Sequence, residues 1–489
     1  MKVTLVGAGP HDFGLLTLKG MEALQEADIV VYDRLANPRF LDLCKEDCEK
    51  IDVGKSCNSH TMPQNEINSL LLEKALLGKN VVRLKGGDPF LFGRGSEELA
   101  SIIDENIPFE VISGITSAIS VPSYAGIPVT DREYSSSLHI FTGHAKENHE
   151  LNIDFETVAK LSGTLVFLMS LYNLAKIAEG LLQAGVNATT PTALIENGAS
   201  PKQRKFIANL SEITRVAKEN KVCSPMLFVV GEVCSLSEKF DWFSKKPLFQ
   251  TSVLVTGHKG TSEKLEQKLR HEGAEVKMYS CIETFPTKME VDFSVPYEWL
   301  IFSSKQGVKY FFASMMKSKI DIRKLANVKI AVVGVETAVE LEKYSLYADF
   351  IPTEYNASAL AKGLVDKITG RVLIVKAITA SKSLTEIFQR ENIQYTEIVA
   401  YETCFVENGK VDLTADYVTF TSASAVHGFV CNVGEEYLQN VTGICIGETT
   451  ASVANAYNIK TFTAKEATID AVVNLIKELK QNVATSKKN

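Results

Sequence analysis

The stretch VVRLKGGDPFLFGRGSEE, Val81–Glu98, reads as three pieces in a row. VVRL is the end of a buried strand, and Ser96-Glu97-Glu98 opens a helix. Between them lies a loop in which Gly86 and Gly87 let backbone approach a ligand with no Cβ in the way. Loops at the carboxyl ends of strands are where α/β sheets hold their ligands. The stretch therefore predicts an α/β fold with a binding site around Asp88, and leaves open what binds there.

Size and composition narrow the field. A chain of 489 residues exceeds one core and predicts two or more domains. With 45% hydrophobic and 23% charged residues, it has the make-up of a folded globular protein. A net charge of −7 offers no basic footprint and speaks against a nucleic-acid partner. The longest apolar runs, TLVFLM and MLFVV, are strand-sized, so no membrane partner is expected. MKVTLVGAG enters a strand with no signal-peptide layout, and a cytoplasmic location is expected. Nine cysteines in no regular framework suit a reducing compartment. Cys44, Cys48 and Cys57 lack the Cys-x-x-Cys pairing of zinc sites, so no metal is expected.

The grammar changes near Phe240. DWFSKKPLFQ is a short polar and aromatic join, after which TSVLVTG starts a strand as cleanly as KVTLVG does at the beginning. We place the domains at 1–245 and 250–482. In the second, WLIFSSKQGVKYFF followed by VKIAVVGVETAVELEKYSL matches YVTFTSASAVHGFV followed by VTGICIGETTASVANAYNI. Each unit is strand, Ser/Thr turn, helix, strand, Gly turn, helix, with SVLVTG and RVLIVKA as further strands. This predicts two parallel-sheet lobes facing a cleft. The first domain alternates strands and helices without duplication: KVTLVG, DIVVYD, NVVRLK, FEVIS, LHIFTG, TLVFLM, PTALIE and MLFVVG. The last four lie close together and predict a mixed second sheet after a parallel first one, with Thr142–Leu161 as the joint.

VGAGPHD, residues 6–12, sits at the first strand-to-helix turn and has part of a dinucleotide fingerprint. Asp12 stands where that pattern needs glycine, and Pro10 removes an amide that would cradle a pyrophosphate. The ordered set is more specific. VGAGP…LLTLKG, YDRL, VVRLKGGDPFLFGRGSEE, SGITSAISVPSYAGIPVTDR, FTGH and VFLMS together resemble the uroporphyrinogen-III C-methyltransferases of the tetrapyrrole methylase family, over residues 1–240. The resemblance implies S-adenosyl-L-methionine as cofactor and a two-subdomain tetrapyrrole methylase fold. It implies cofactor contacts at Pro10, Gly86, Gly87, Asp88, Leu91, Thr116, Ser117, Met169 and Gly198. Asp33 falls on the family's proton acceptor and Lys55 on its proton donor, while Arg94, Glu97 and Arg132 match positions that hold substrate or move its protons.

Chemistry agrees with these roles. A tetrapyrrole with eight carboxylates needs guanidinium forks, which Arg94 and Arg132 supply. Guanidinium does not give up its proton, which leaves Asp33 or Glu97 as the base and Arg94 as anchor. Plainer readings exist: Asp88 before Pro89 as a turn former, Met169 as core, Glu97 as a first-turn helix charge. The family's first loop carries glycine where this chain has His11, so His11 is expected in a conformation that glycine takes cheaply.

After residue 250 the candidates are hydroxyls at strand-to-helix turns: Ser303, Ser304, Thr337, Thr421, Ser422, Thr449 and Thr450, about half of them expected as helix N-caps. FTSASAV, IGETTA, GRVLIVKA and IVAYETC resemble uroporphyrinogen-III synthases over roughly 250–480. That resemblance implies a bilobed pair of parallel-sheet lobes, no cofactor, and closure of hydroxymethylbilane with one pyrrole inverted. Tyr401 falls on the tyrosine that assists hydroxyl departure; Thr421, Ser422, Thr449 and Thr450 line the substrate cleft. Gly257, Lys376 and Ser381 stand where arginines are frequent.

The synthase product is the methyltransferase substrate, so a bifunctional enzyme of sirohaem or cobalamin synthesis is expected, making precorrin-2. The alternative is a methylase of a later corrin intermediate with a non-catalytic tetrapyrrole-binding module. Methylases of this kind are typically homodimers, and the resemblance implies a homodimer here.

Overall fold

Apolar runs dictate the first sheet. In the computed structural model, which describes residues 2–54, 62–143, 151–406 and 414–486, five strands run parallel. They are β1 (Lys2–Gly7), β2 (Ile29–Tyr32), β3 (Glu49–Asp52), β4 (Asn80–Lys85) and β5 (Phe109–Ile112), in the order β3-β2-β4-β1-β5. A parallel sheet is covered on both faces, which is why its central strands are apolar throughout. Val3, Leu5, Val31 and Val81 pack against Leu71 of helix Gln64–Leu76 and Leu99 of helix Gly95–Asp104. The alternate residues Val6, Val30, Val82 and Leu84 pack on Leu24 and Phe40.

At the amino-terminal edge of β1, Lys2 and Lys19 both bind Glu110 of β5, the former at 2.8 Å. The hydrogen bonds from Lys19 and then Lys2 bring the Glu110 carboxyl down to about 2. A depressed carboxyl pKa adds stability above its unfolded value, and loses it as pH falls toward the folded one. Glu110→Gln is therefore expected to lower unfolding free energy at pH 7 by roughly 0.5–1 kcal/mol. Urea titrations at falling pH should show the difference shrinking below about pH 4.3.

The second sheet has the order β6-β7-β10-β8-β9, with β6 (Leu138–Thr142), β7 (Thr164–Leu168), β8 (Pro191–Glu196), β9 (Arg204–Asn209) and β10 (Met226–Val230). Only β6 and β7 are parallel; β7-β10, β10-β8 and β8-β9 are antiparallel, the mixed sheet expected. Helix Ser117–Tyr124 already packs on it, through Ala118 and Val121 against Val166, Ala193 and Val229. The chain has thus crossed between sheets before β6. The joint precedes Leu138, contrary to the expected Thr142–Leu161, part of which is outside the described residues.

The chain divides into two compact units, one holding residues up to Thr251 with Arg270–Glu275, the other the remainder. In the second unit one sheet has the order β12-β11-β18-β19-β20, from β11 (Ser252–Thr256), β12 (Glu275–Tyr279), β18 (Tyr417–Phe420), β19 (Thr442–Cys445) and β20 (Lys460–Thr463). The other is β13-β17-β16-β14-β15, from β13 (Ile282–Pro286), β14 (Tyr297–Phe302), β15 (Lys329–Val332), β16 (Arg371–Ala377) and β17 (Tyr395–Phe405).

The duplication is visible in the backbone. Ser304 (φ −163°, ψ 156°) caps helix Lys305–Lys317 as Ser422 (φ −163°, ψ 159°) caps helix Ala423–Val433. Gly334 and Gly447 begin the paired helices with equally extended backbone, at φ −176° and −169°.

Candidate functional site

Three turns at the carboxyl edge of the first sheet converge on glycines. A Cβ on Gly7 would lie 2.5 Å from Gly114 Cα and 2.7 Å from the Gly87 oxygen. Gly9 and Gly87 have φ of 68° and 70° and exchange backbone hydrogen bonds of 3.2 and 3.0 Å. A side chain on Gly87 would meet nothing within 4 Å, so its left-handed φ rather than a clash calls for glycine there, and the space beside it is open. Asp88 pins this arrangement. Its Oδ1 accepts from the amides of Phe90 (2.8 Å) and Leu91 (3.2 Å), and its Oδ2 from the amide of Gly114 (3.1 Å). Asp88 is thus a turn former that also ties the β4 loop to the β5 loop. Gly7 and Gly114, which are not among the cofactor contacts expected from sequence, leave no room for a Cβ: on either, it would overlap backbone of the facing turns.

Asp33 stands at the same edge. Its amide donates to the Leu84 carbonyl, two residues before Gly86, and its Oδ1 accepts from buried Arg83 at 2.6 Å. Its other oxygen has no hydrogen-bond partner among the described residues. Lys55 lies outside the described residues.

Arg94 and Glu97 meet each other. Arg94 Nε and Nη2 donate to Glu97 Oε1 (3.1 Å) and Oε2 (2.6 Å), with both side chains about half exposed, 55% and 52%. That bond holds the Glu97 carboxyl below its usual range, and it engages both carboxylate oxygens. It also occupies the Arg94 guanidinium fork. Arg94 sits in left-handed backbone at φ 57°, between Gly93 and Gly95. A Cβ on Gly93 or Gly95 would press on the Pro89 oxygen at 2.6 or 2.7 Å, which explains the tight Phe-Gly-Arg-Gly spelling. Arg132 is exposed in the turn closed by Asp131 and Ser135, and makes no ion pair among the described residues.

Of the remaining candidates, Thr116 caps helix Ser117–Tyr124 by accepting from Ala118 N, and Ser117 is that helix's first residue. Gly198 is packed so tightly on Val121 that a Cβ would overlap the valine. Met169 is not core: it is 51% exposed, with a left-handed φ of 52°. Pro10 and Leu91 are half-buried in the first and second turns. The expected strain at His11 is absent; Gly9 takes the positive φ instead, and Asp12 secures the turn through Gly14 N and the Tyr124 hydroxyl, both at 2.8 Å.

In the second unit Tyr401, only 7% exposed on β17, donates its hydroxyl to Ser304 Oγ at 2.9 Å. Burial raises its pKa, so the phenol stays protonated and able to donate. Ser304 and Ser422 are N-caps, accepting from Gly307 and Ala425 at 3.0 and 3.1 Å. Thr421 is half-buried and Thr449 exposed; Thr450 is buried at 5%, so it is the less accessible of the two threonines. Lys376 is tied to Glu397 at 2.6 Å, and Ser381 donates to Ser383 Oγ.

A glycine cradle at the carboxyl edge of a parallel sheet, and a duplicated α/β unit with a buried tyrosine, define the two halves. The family described as Tetrapyrrole (Corrin/Porphyrin) Methylases matches residues 2–214, and that described as Uroporphyrinogen-III synthase HemD matches residues 263–474. The chain is 43% identical to the porphyrin biosynthesis protein HemD of Ruminiclostridium josui, with 98% of each chain covered. To the uroporphyrinogen-III C-methyltransferase of Bacillus subtilis (strain 168) it is 40% identical, over 70% of this chain and 71% of that one. Among solved structures, the uroporphyrin-III C-methyl transferase of Thermus thermophilus complexed with S-adenyl homocysteine is 38% identical, covering 48% of this chain and 93% of that one at a TM-score of 0.41. The chain belongs to the family in which a tetrapyrrole methylase is joined to a uroporphyrinogen-III synthase. No described helix is long and apolar enough to cross a membrane.

Proposed function

We propose that residues 1–245 methylate uroporphyrinogen III twice to precorrin-2, and that residues 250–482 make uroporphyrinogen III from hydroxymethylbilane. The observation that carries the first half is the Gly7–Gly87–Gly114 convergence clamped by Asp88, with open space where a Gly87 side chain would stand. Pro10, Gly86, Gly87, Asp88, Leu91, Thr116, Ser117, Met169 and Gly198 would hold S-adenosylmethionine, which when bound supplies an electrophilic methyl group. Arg132, with Arg94 once Glu97 releases it, holds substrate carboxylates. Asp33 takes the proton that the macrocycle loses when a ring carbon gains a methyl, because Arg83 engages only one of its oxygens whereas Arg94 engages both of those on Glu97. Lys55 stays the candidate proton donor. In the second half Tyr401 assists departure of the bilane hydroxyl as water, and Thr421, Ser422, Thr449 and Thr450 line the approach. The working form is a cytoplasmic homodimer.

The test uses the whole chain. With S-adenosylmethionine, uroporphyrinogen III should gain two methyl masses, and hydroxymethylbilane alone should give the type III ring. Type I product alone would reduce the second half to a binding module, the reading that the engaged Lys376 favours. Because Glu97 competes with substrate for Arg94, Glu97→Gln should lower KM for uroporphyrinogen III roughly two- to five-fold, the scale of an exposed ion pair. Initial rates against substrate concentration check this, and a raised KM would show that Glu97 itself binds or orders substrate.

A further inference from the structure

Arg83 interrupts an apolar row. It pairs in register with Leu5 of β1 and Val31 of β2, on the sheet face where Val81 and Leu99 are buried. It is 2% exposed, and every part of its guanidinium is engaged. Nε donates to Glu98 Oε1 (3.2 Å), Nη1 to the carbonyls of Val31 (3.4 Å) and Leu84 (3.3 Å), and Nη2 to Asp33 Oδ1 (2.6 Å). Glu98, at 0% exposed, also accepts from Lys85 (2.7 Å) and Gln64 (3.2 Å), all on Oε1, while its Oε2 is buried without a partner among the described residues. Two acids and two bases make a neutral cluster that ends, on one side only, at the half-buried Asp33 carboxylate.

Such a cluster is a poor stabiliser. Well-packed aliphatic side chains of similar volume are often as stable or more so, and an orphaned buried carboxylate oxygen costs stability outright. What the cluster does achieve is orientation. We propose that Arg83, held by Glu98, is a positioning residue that fixes the Asp33 carboxylate by one oxygen and leaves the other to take the substrate's proton. This rests on the reading of Asp33 as proton acceptor. The arrangement matters because about 1 Å of misplacement at a reacting group costs on the order of 100-fold in rate.

The full-length protein tests it. Arg83→Met leaves Glu98 neutralised by Lys85 and frees Asp33. Arg83→Lys keeps the charge with a single donor centre. Both are compared with Asp33→Asn by methyl incorporation into uroporphyrinogen III, and by calorimetric titration with S-adenosylhomocysteine to count working cofactor sites. Per cofactor site, kcat should fall about 100-fold in Arg83→Met, with KM and cofactor stoichiometry within about two-fold of the parent, and Arg83→Lys should recover part of the loss. Unchanged kcat per site in Arg83→Met, while Asp33→Asn is inactive, would overturn the positioning role and leave the acceptor reading intact. Lost cofactor stoichiometry in both Arg83 variants, with normal turnover by the surviving sites, would make the role structural and overturn the proposal too. An active Asp33→Asn would sink the acceptor reading itself, and the proposal with it.

Discussion

Gly114→Ala is expected to weaken S-adenosylhomocysteine binding by at least about 100-fold, or about 2.7 kcal/mol, and to end methylation at ordinary cofactor concentrations. The added Cβ would lie 2.6 Å from the Gly7 carbonyl carbon and closer still to the Gly87 oxygen. Both are backbone, so no side chain can swing aside; the turns after β1 and β4 must part. Overpacking of this kind costs about 1–3 kcal/mol, which for a unit of this size lowers the melting temperature by roughly 2–4 °C per kcal/mol. The same movement breaks the Asp88–Gly114 hydrogen bond that sets the loop. Asp88→Asn is the milder companion. Its amide oxygen still accepts from Phe90 and Leu91, but its NH2 group faces the Gly114 N–H donor to donor, and the affinity loss should be smaller. Calorimetry on both variants orders them. Equal affinity in Gly114→Ala and the parent would mean that the open space beside Gly87 is not where the cofactor lies. Conversion of hydroxymethylbilane by the same preparations should not change, which separates a local effect from general misfolding.

How much of this was legible in the sequence depends on where the physics was local. VVRL and RVLIVKA declare buried strands because a covered parallel sheet tolerates little else, and MLFVV does so because β10, antiparallel to both neighbours, is buried along its whole length. EKID and RKFIAN, which form β3 and β9, carry charges and exposed residues at sheet edges, and no apolar run marked them. Gly86, Gly87 and Asp88 were legible as a tight strand-to-helix loop, since Gly-Gly-Asp-Pro combines the residues that turns favour. That Gly7 and Gly114 meet them is a fact of strand order, which placed β4 and β5 on either side of β1. The Arg83–Glu98 cluster leaves one sign, an arginine inside an apolar run with a glutamate on the next helix, and an ordinary strand end looks the same. Ser304 and Ser422 were legible as N-caps because the cap is made with their own helices. The bond from Tyr401 to Ser304 spans 97 residues and only the folded lobe reveals it.

That bond sets up the other large effect. Tyr401→Phe should lower turnover of hydroxymethylbilane to the type III ring by about 100-fold, the lower range for loss of a general acid, with methylation of supplied uroporphyrinogen III unchanged. The tyrosine suits the task because burial keeps its phenol protonated, and the Tyr310 ring, 5.6 Å away centre to centre, fixes its plane. Its proton, however, points to Ser304, which already accepts from the Gly307 amide. To serve a leaving hydroxyl, the phenol must exchange that acceptor for the substrate. Ser304→Ala therefore separates two roles. If serine only parks the proton, its removal frees the phenol and turnover holds or rises, while stability falls by the roughly 1 kcal/mol of a lost N-cap. If serine instead aims the phenol, Ser304→Ala should lose turnover together with Tyr401→Phe, and the double variant should be no worse than Tyr401→Phe alone. Parent-like type III production by Tyr401→Phe would reduce Tyr401 to a packed aromatic at the edge of the lobe's core, and would move the search for the acid to the exposed hydroxyl of Thr449.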